Sequence, residues 1–142
     1  MSKIQREWRV INEEPTEGVD MPIRQVYTWL LTSDRHVVIV SKDGKNWQLP
    51  GGKPDDNESA TQAAVREVSE ETNIDRYRED LNFFGEYVIQ DDETHIHPPQ
   101  YRQVRAWMKL PYDSSRLKLS TAGEAKCQRP EDAVRFVKTI PI

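Results

Sequence analysis

The sequence predicts an α+β fold, an α/β/α sandwich in which a mixed β-sheet is flanked by helices. Three observations carry that expectation. Short runs rich in β-branched and aromatic residues recur with turn signals between them. Residues 58–72 place small and apolar side chains at helical spacing. A second helix start follows at Pro130. The order strands, helix, strands, helix, with hairpin-like returns, is that of a sheet with helices packed against it.

Trp8 to Ile11 reads as a short strand, and the acidic stretch from Asn12 to Pro22 as an irregular loop. Ile23 to Leu31 is rich in Val, Tyr, Thr, Trp and Leu and reads as a strand. Ser33-Asp34 is a turn signal, and the apolar run His36 to Val40 is short enough for a buried strand, so the two runs suggest a hairpin. Asp43-Gly44 marks a second turn. The helix is expected from about Glu58 to Thr72, with Asn57 as N-cap and Glu58 in the first turn. Ala60, Ala63, Ala64 and Val68 form its buried face, with Val65 at the edge. Asn73 follows where a left-handed residue commonly stops a helix. Leu81 to Gln90 and Arg102 to Leu110 read as two more strands, joined by a polar loop holding Asp91, Asp92, Glu93, His95, His97 and Pro98-Pro99. Lys126 to Gln128 reads as a short strand, and the last helix starts at Pro130, with Ala133, Val134 and Val137 facing the core.

A length of 142 residues suits one domain spanning 1–142, with 1–22 as an N-terminal extension within it. A hydrophobic fraction of 36% with 8% aromatic residues suffices for a packed core. No apolar run approaches the roughly 20 residues of a membrane span, and Met1 to Arg9 lacks the apolar stretch of a signal peptide. The single cysteine, Cys127, rules out an internal disulfide and reads as a small, partly buried side chain. These features together lead to the expectation of a cytoplasmic protein. The formal net charge of -4 argues against a nucleic-acid partner gripped by a broad basic surface. It leaves room for a small phosphorylated substrate, because a divalent cation supplies positive charge locally.

The chemistry concentrates in Gly52 to Ile74, GKPDDNESATQAAVREVSEETNI. On a helix Glu67, Glu70 and Glu71 stand at i, i+3 and i+4, so their carboxylates leave one face one turn apart. Such a cluster repels itself unless something positive compensates, and a hard, oxygen-seeking ion such as Mg²⁺ fits the ligand set. Gly51-Gly52 lets the backbone come close and turn a carbonyl toward the ion. The bland alternative is a solvated acidic face with Arg66 as neighbour, the usual meaning of a charge run. The glycine pair, Glu58 and Arg66 at their fixed distances favour the metal.

This segment resembles the Nudix box of the Nudix hydrolase (MutT-like) family, G-x5-E-x7-R-E-U-x-E-E-x-G-U with U aliphatic. The matches are Gly52, Glu58, Arg66, Glu67, Val68, Glu70, Glu71 and Ile74, and Asn73 stands where the family usually has Gly. The box covers about a sixth of the chain. The resemblance implies Glu70 and Glu71 as metal ligands and Glu67 as a ligand or as the base that activates water. It implies Arg66 as the residue that orients Glu67, the Gly52 carbonyl as a candidate ligand, and Glu58 as a support or a water-mediated contact. Val68 and Ile74 pack in the core. The cofactor implied is Mg²⁺, with Mn²⁺ able to substitute. The reaction implied is Mg²⁺-dependent attack of water on a phosphoanhydride of a nucleoside diphosphate linked to another moiety, either a nucleoside triphosphate or a nucleotide-sugar-like substrate. Many relatives are dimers, and the segment before Ile23 is the piece that could exchange between subunits of a homodimer.

Outside the box, Glu124 is the candidate for a further carboxylate, with Asp92 and Glu93 as rivals. Lys53, beside the glycine turn, is placed to touch a phosphate or pair with an acid. Trp47 reads as packing, and one or two of Tyr27, Trp29, Tyr87 and Trp107 are expected in the substrate cleft. His95 and His97 have no zinc spacing. The competing readings are a non-catalytic nucleotide-sensing module on the same fold and an RNA 5′-pyrophosphohydrolase. Intact Arg66-Glu67 and Glu70-Glu71 pairs speak against the first, and the acidic balance against the second.

Overall fold

The computed structural model describes residues 4–16, 18, 21–92, 99–117 and 136–142. Its strands are β1 (Gln5–Val10), β2 (Ile23–Leu31), β3 (His36–Ser41), β4 (Trp47–Gln48), β5 (Gly51–Gly52), β6 (Asn82–Gln90), β7 (Tyr101–Lys109) and β8 (Phe136–Pro141), and α1 covers Ala60–Thr72. One mixed sheet runs in the order β1-β6-β7-β2-β3-β4, with β5 paired to β2 and β8 to β3.

The centre of the sheet is the parallel pair β2 and β7, in register from Ile23 with Arg102 to Leu31 with Lys109 and shifted once between Ile23 and Gln25. Along β2 the side chains of Val26, Thr28 and Leu30 are fully buried, while Tyr27 and Trp29 between them are half-buried on the other face. β2 meets β3 antiparallel only at its end, Leu31 with Val37, where Thr32 to Arg35 close the expected hairpin. Nearer its start, Val26 and Tyr27 pair instead with Gly52 and Gly51 of β5.

Helix α1 starts later than its composition suggests. Ser59, not Asn57, is the N-cap: its hydroxyl accepts from the Gln62 N–H while the Gln62 side chain accepts from the Ser59 N–H. Asn57 lies in the preceding turn with φ 65°, where its short side chain tolerates a left-handed backbone, and Glu58 sits outside the helix. Asn73 ends α1 as expected, at φ 61°, with its N–H bonded to the Ser69 carbonyl. Ala60, Ala63 and Ala64 pack against Ile23, Val26 and Val104, and Val68 joins Leu30, Val38, Met108 and Leu110 in a second cluster. Alanines at the first contact let the helix lie close to the sheet.

The last helix is corrected in part. Phe136 to Pro141 is a strand alongside β3, pairing Val40 with Val137, so Val137 reaches the core from a sheet edge. β-Branched residues at 137, 139 and 140 suit a pleated surface better than a helix. Pro130, Ala133, Val134, Cys127 and the expected strand Lys126 to Gln128 lie outside the described residues, as do Glu17, Asp20, Glu93, His95, His97, Pro98 and Glu124.

Candidate active site

The last two turns of α1 and the β5 glycines form the walls of a cleft of about 560 Å³. Glu67, Glu70 and Glu71 all line it, with Gly51, Gly52, Lys53 and Arg66. Their exposure decides between an acidic surface and a built site: the side chains of Glu67 and Glu70 are only 15% and 17% exposed.

Two glycines make the approach possible. A Cβ on Gly51 would lie 2.1 Å from the Val26 carbonyl oxygen and 2.6 Å from Cδ1 of Tyr27, so only glycine brings β5 this close to β2. A Cβ on Gly52 would lie 2.7 Å from the Glu67 carboxylate, which therefore rests in space a side chain would fill. The Gly51 N–H donates to Glu71 Oε1 at 2.8 Å and fixes the deepest carboxylate against the turn.

Arg66 organises the rest. Its Nε and Nη2 grip Glu58 at 2.7 and 2.9 Å, and Nη1 reaches Glu67 at 3.0 Å and Glu70 at 3.2 Å. Nη2 also donates to the Lys53 carbonyl at 3.3 Å, and Nε lies 3.4 Å from Asp55. A planar guanidinium with five donors can hold three carboxylates in one arrangement. The bond to Arg66 holds the Glu58 carboxyl below its usual range, and the same bond raises the guanidinium. The Glu70 carboxyl is raised by burial, against the pull of Arg66. Glu71 is pushed well above the carboxylate range by burial first, then by the charge of Glu67; the Gly51 N–H opposes the shift.

A buried carboxylate beside a like charge is the arrangement a divalent cation relieves, so the donor set fits a hard metal ion. Among the described residues no three acidic groups close on a single point: Arg66 draws Glu67 and Glu70, and the glycine turn draws Glu71. The box residues Gly52, Glu58, Arg66, Glu67, Glu70 and Glu71, with Gly51 and Lys53, thus come together. Asp92, a rival for the extra carboxylate, does not join them. It is buried, accepts a hydrogen bond from the Tyr101 hydroxyl at 2.7 Å, and does not line the cleft. Trp47 packs under Lys138, whose Nζ lies 4.0 Å from its ring centroid, in keeping with a structural role.

Of the four strand aromatics, Tyr27 lines the cleft. Burial raises its hydroxyl pKa, helped by the charge of Glu71. Lys42 and Gln48 also line it and were not anticipated, because nothing in their spacing separates them from ordinary strand-end polar residues.

The chain also resembles known proteins. The model of the NUDIX domain matches residues 21–138. A Bacillus subtilis protein provisionally named an 8-oxo-dGTP diphosphatase is 48% identical over 44 residues, 30% of this chain and 30% of that protein's length. The matched part is thus less than a third of that relative. A Bacillus subtilis pyrophosphohydrolase has a similar structure, with TM-score 0.60 and 14% identity over 96% of this chain and 72% of that one. A MutT/nudix family protein of Enterococcus faecalis gives TM-score 0.59 and 20% identity over 89% of this chain, which spans less than half (46%) of that one. The NUDIX domain of Shewanella oneidensis NrtR, solved with ADP ribose, gives 0.54 and 21% over 84% of this chain and 72% of that one. At these identities the three structures establish the fold.

Proposed function

This chain belongs to the Nudix family, and from that premise we propose that it is a divalent-metal-dependent pyrophosphohydrolase acting on a nucleoside diphosphate linked to another group. One observation carries the reading: three glutamates of one helical face line a single cleft walled by a glycine turn, Glu67 and Glu70 mostly buried and Glu71 bonded to the Gly51 N–H. A surface acidic patch would not be buried, and a degenerate binding module would not need the whole set.

Glu70, Glu71 and the Gly52 carbonyl would hold the ion, with Glu67 completing the set or taking the proton of the attacking water. When bound, Mg²⁺ or Mn²⁺ neutralises charge on the phosphates and lowers the pKa of water. Arg66 donates to Glu67 and holds its carboxylate in one orientation, which a base needs before it accepts a proton. Glu58 anchors Arg66 from the far side, so the chain Glu58–Arg66–Glu67 fixes the carboxylate's position. Lys42 and Lys53 at the cleft bring positive charge to a polyphosphate. The non-reacting parts of the substrate then set orientation, where most of the rate in phosphoryl transfer originates.

The test is a screen of nucleoside triphosphates, dinucleotides, nucleotide sugars and 5′-triphosphorylated RNA with Mg²⁺ or Mn²⁺, read as phosphate or pyrophosphate release with product identification. We expect turnover on at least one small nucleotide and none in excess chelator. Glu67→Gln and Glu71→Gln should each lower kcat by about 10²–10⁴-fold with unchanged folding by circular dichroism. Full activity in both variants, or in chelator, would overturn the assignment. Activity confined to RNA would move it to 5′-end processing.

A further inference from the structure

Beyond the cleft, one row of side chains crosses the sheet on the face away from α1. Val26 and Val104 point to the helix, so their neighbours Tyr27 and Arg105 point the other way. Tyr27 and Arg105 are cross-strand partners, and the guanidinium stands 5.0 Å from the Tyr27 ring centroid. The same guanidinium lies 5.5 Å from the Tyr87 ring on β6. Tyr87 is the partner of Trp8 on β1, with the rings edge-on at 4.8 Å, and Arg6 approaches Tyr87 at 5.6 Å. The row begins at the cleft, since Tyr27 lines it, and ends at an outer strand. Its length is three interstrand steps, about 14 Å.

We propose that this row seats the non-reacting end of the substrate: Arg105 takes a phosphate, and the Trp8–Tyr87 pair stacks a nucleobase. The proposal rests on the hydrolase reading and specifies its substrate class as a nucleoside polyphosphate. Three features favour it. First, Arg105 is half-buried and has no carboxylate partner among the described residues; it donates to the Val104 carbonyl at 3.2 Å and lies over two tyrosine rings. Burial lowers its pKa, and the charge of Arg6 acts in the same direction. A desolvated cation left without an anion is costly unless a ligand brings one. Second, the Trp8 ring lies over Gly85, where a Cβ would come within 1.9 Å of it, so the missing side chain lets the indole lie along the sheet. Trp8 is still 41% exposed, which makes it a platform with a free surface. Third, the order of groups along the row suits such a ligand: carboxylates that call for a metal stand at the cleft, the Arg105 guanidinium stands one strand on, and the Trp8–Tyr87 pair lies beyond it. Stacking tolerates any base, so base selectivity should be modest.

The experiment compares GTP with inorganic tripolyphosphate, which has the phosphates but no base. Trp8→Ala should raise KM for GTP about tenfold with little change in kcat, lowering the preference for GTP over tripolyphosphate by the same factor. Trp8→Phe should retain that preference. Arg105→Gln should raise KM for both compounds, with partial recovery in Arg105→Lys. Arg9→Gln, which removes a charge from the opposite side of β1, is the control. An unchanged GTP preference in Trp8→Ala, or kcat losses equal for both compounds, would overturn the proposal. If wild-type protein hydrolyses neither compound, the wider substrate screen decides the hydrolase reading, and calorimetric binding of a non-hydrolysable GTP analogue reads the row alone. Equal affinity in wild type and Trp8→Ala would sink it there too.

Discussion

Gly51 and Gly52 are neighbours with different obligations, and substitution should separate them. A methyl on Gly51 would meet backbone, the Val26 carbonyl, which cannot move without breaking the β2–β5 pairing. A methyl on Gly52 would meet the far end of the Glu67 side chain, which can turn away. Gly51→Ala should therefore lower Tm by several degrees, whereas Gly52→Ala should keep most stability and lose activity because Glu67 is displaced. Thermal melts alongside turnover check both, and equal stability losses would count against this account. The residues of the box were legible in the sequence because their chemistry needs fixed spacing on one helix. Lys42 and Gln48 were not, since they reach the cleft only through the path of the chain after β3.

The start of α1 shows how local signals compete. Asn57 followed by Glu58 looks like a helix start, yet Ser59 with Gln62 three residues later makes two reciprocal bonds, and Glu58 is drawn out of the helix by Arg66. Ser59→Ala should destabilise the protein by about 1 kcal/mol in denaturant unfolding, and Asn57→Gly by little or nothing, because glycine accepts the left-handed turn at Asn57. A larger loss at position 57 than at 59 would reverse the capping assignment. Strands β2, β3, β6 and β7 were readable because their apolar and aromatic content matches a buried sheet. β8 was not, because its pairing with β3 is decided by contacts distant in sequence.

Across the whole molecule, distant turns are tied by a few polar links. Asp34, in the β2–β3 turn, accepts from the Thr32 hydroxyl at 2.5 Å and from both the hydroxyl and N–H of Ser114, at 2.5 and 2.9 Å. The Ser114 hydroxyl first, then that of Thr32, holds its carboxyl far below the usual range. A group depressed in this way adds stability above the pKa of the unfolded carboxyl, about 4, and loses it as pH falls through the folded value. Asp34→Asn should thus lower Tm at neutral pH, and the gap from wild type should close progressively as the medium becomes strongly acidic. Melts across a pH series would show it; a gap that widens on acidification would refute the link. The mixed architecture was legible from element order, but which strand lies beside which was not, since the parallel β2–β7 pairing joins segments some eighty residues apart.

That β2 exchanges partners partway along has a consequence for how this molecule can change over time. Where β3 departs and β5 takes over, the sheet opens a notch whose rim is made by main chain. Side chains furnish the notch without creating it. Mutation can refit Lys42, Gln48 or Tyr27 for another guest while the opening itself persists, so new preferences are reachable by small steps from a structure that does not have to be rebuilt.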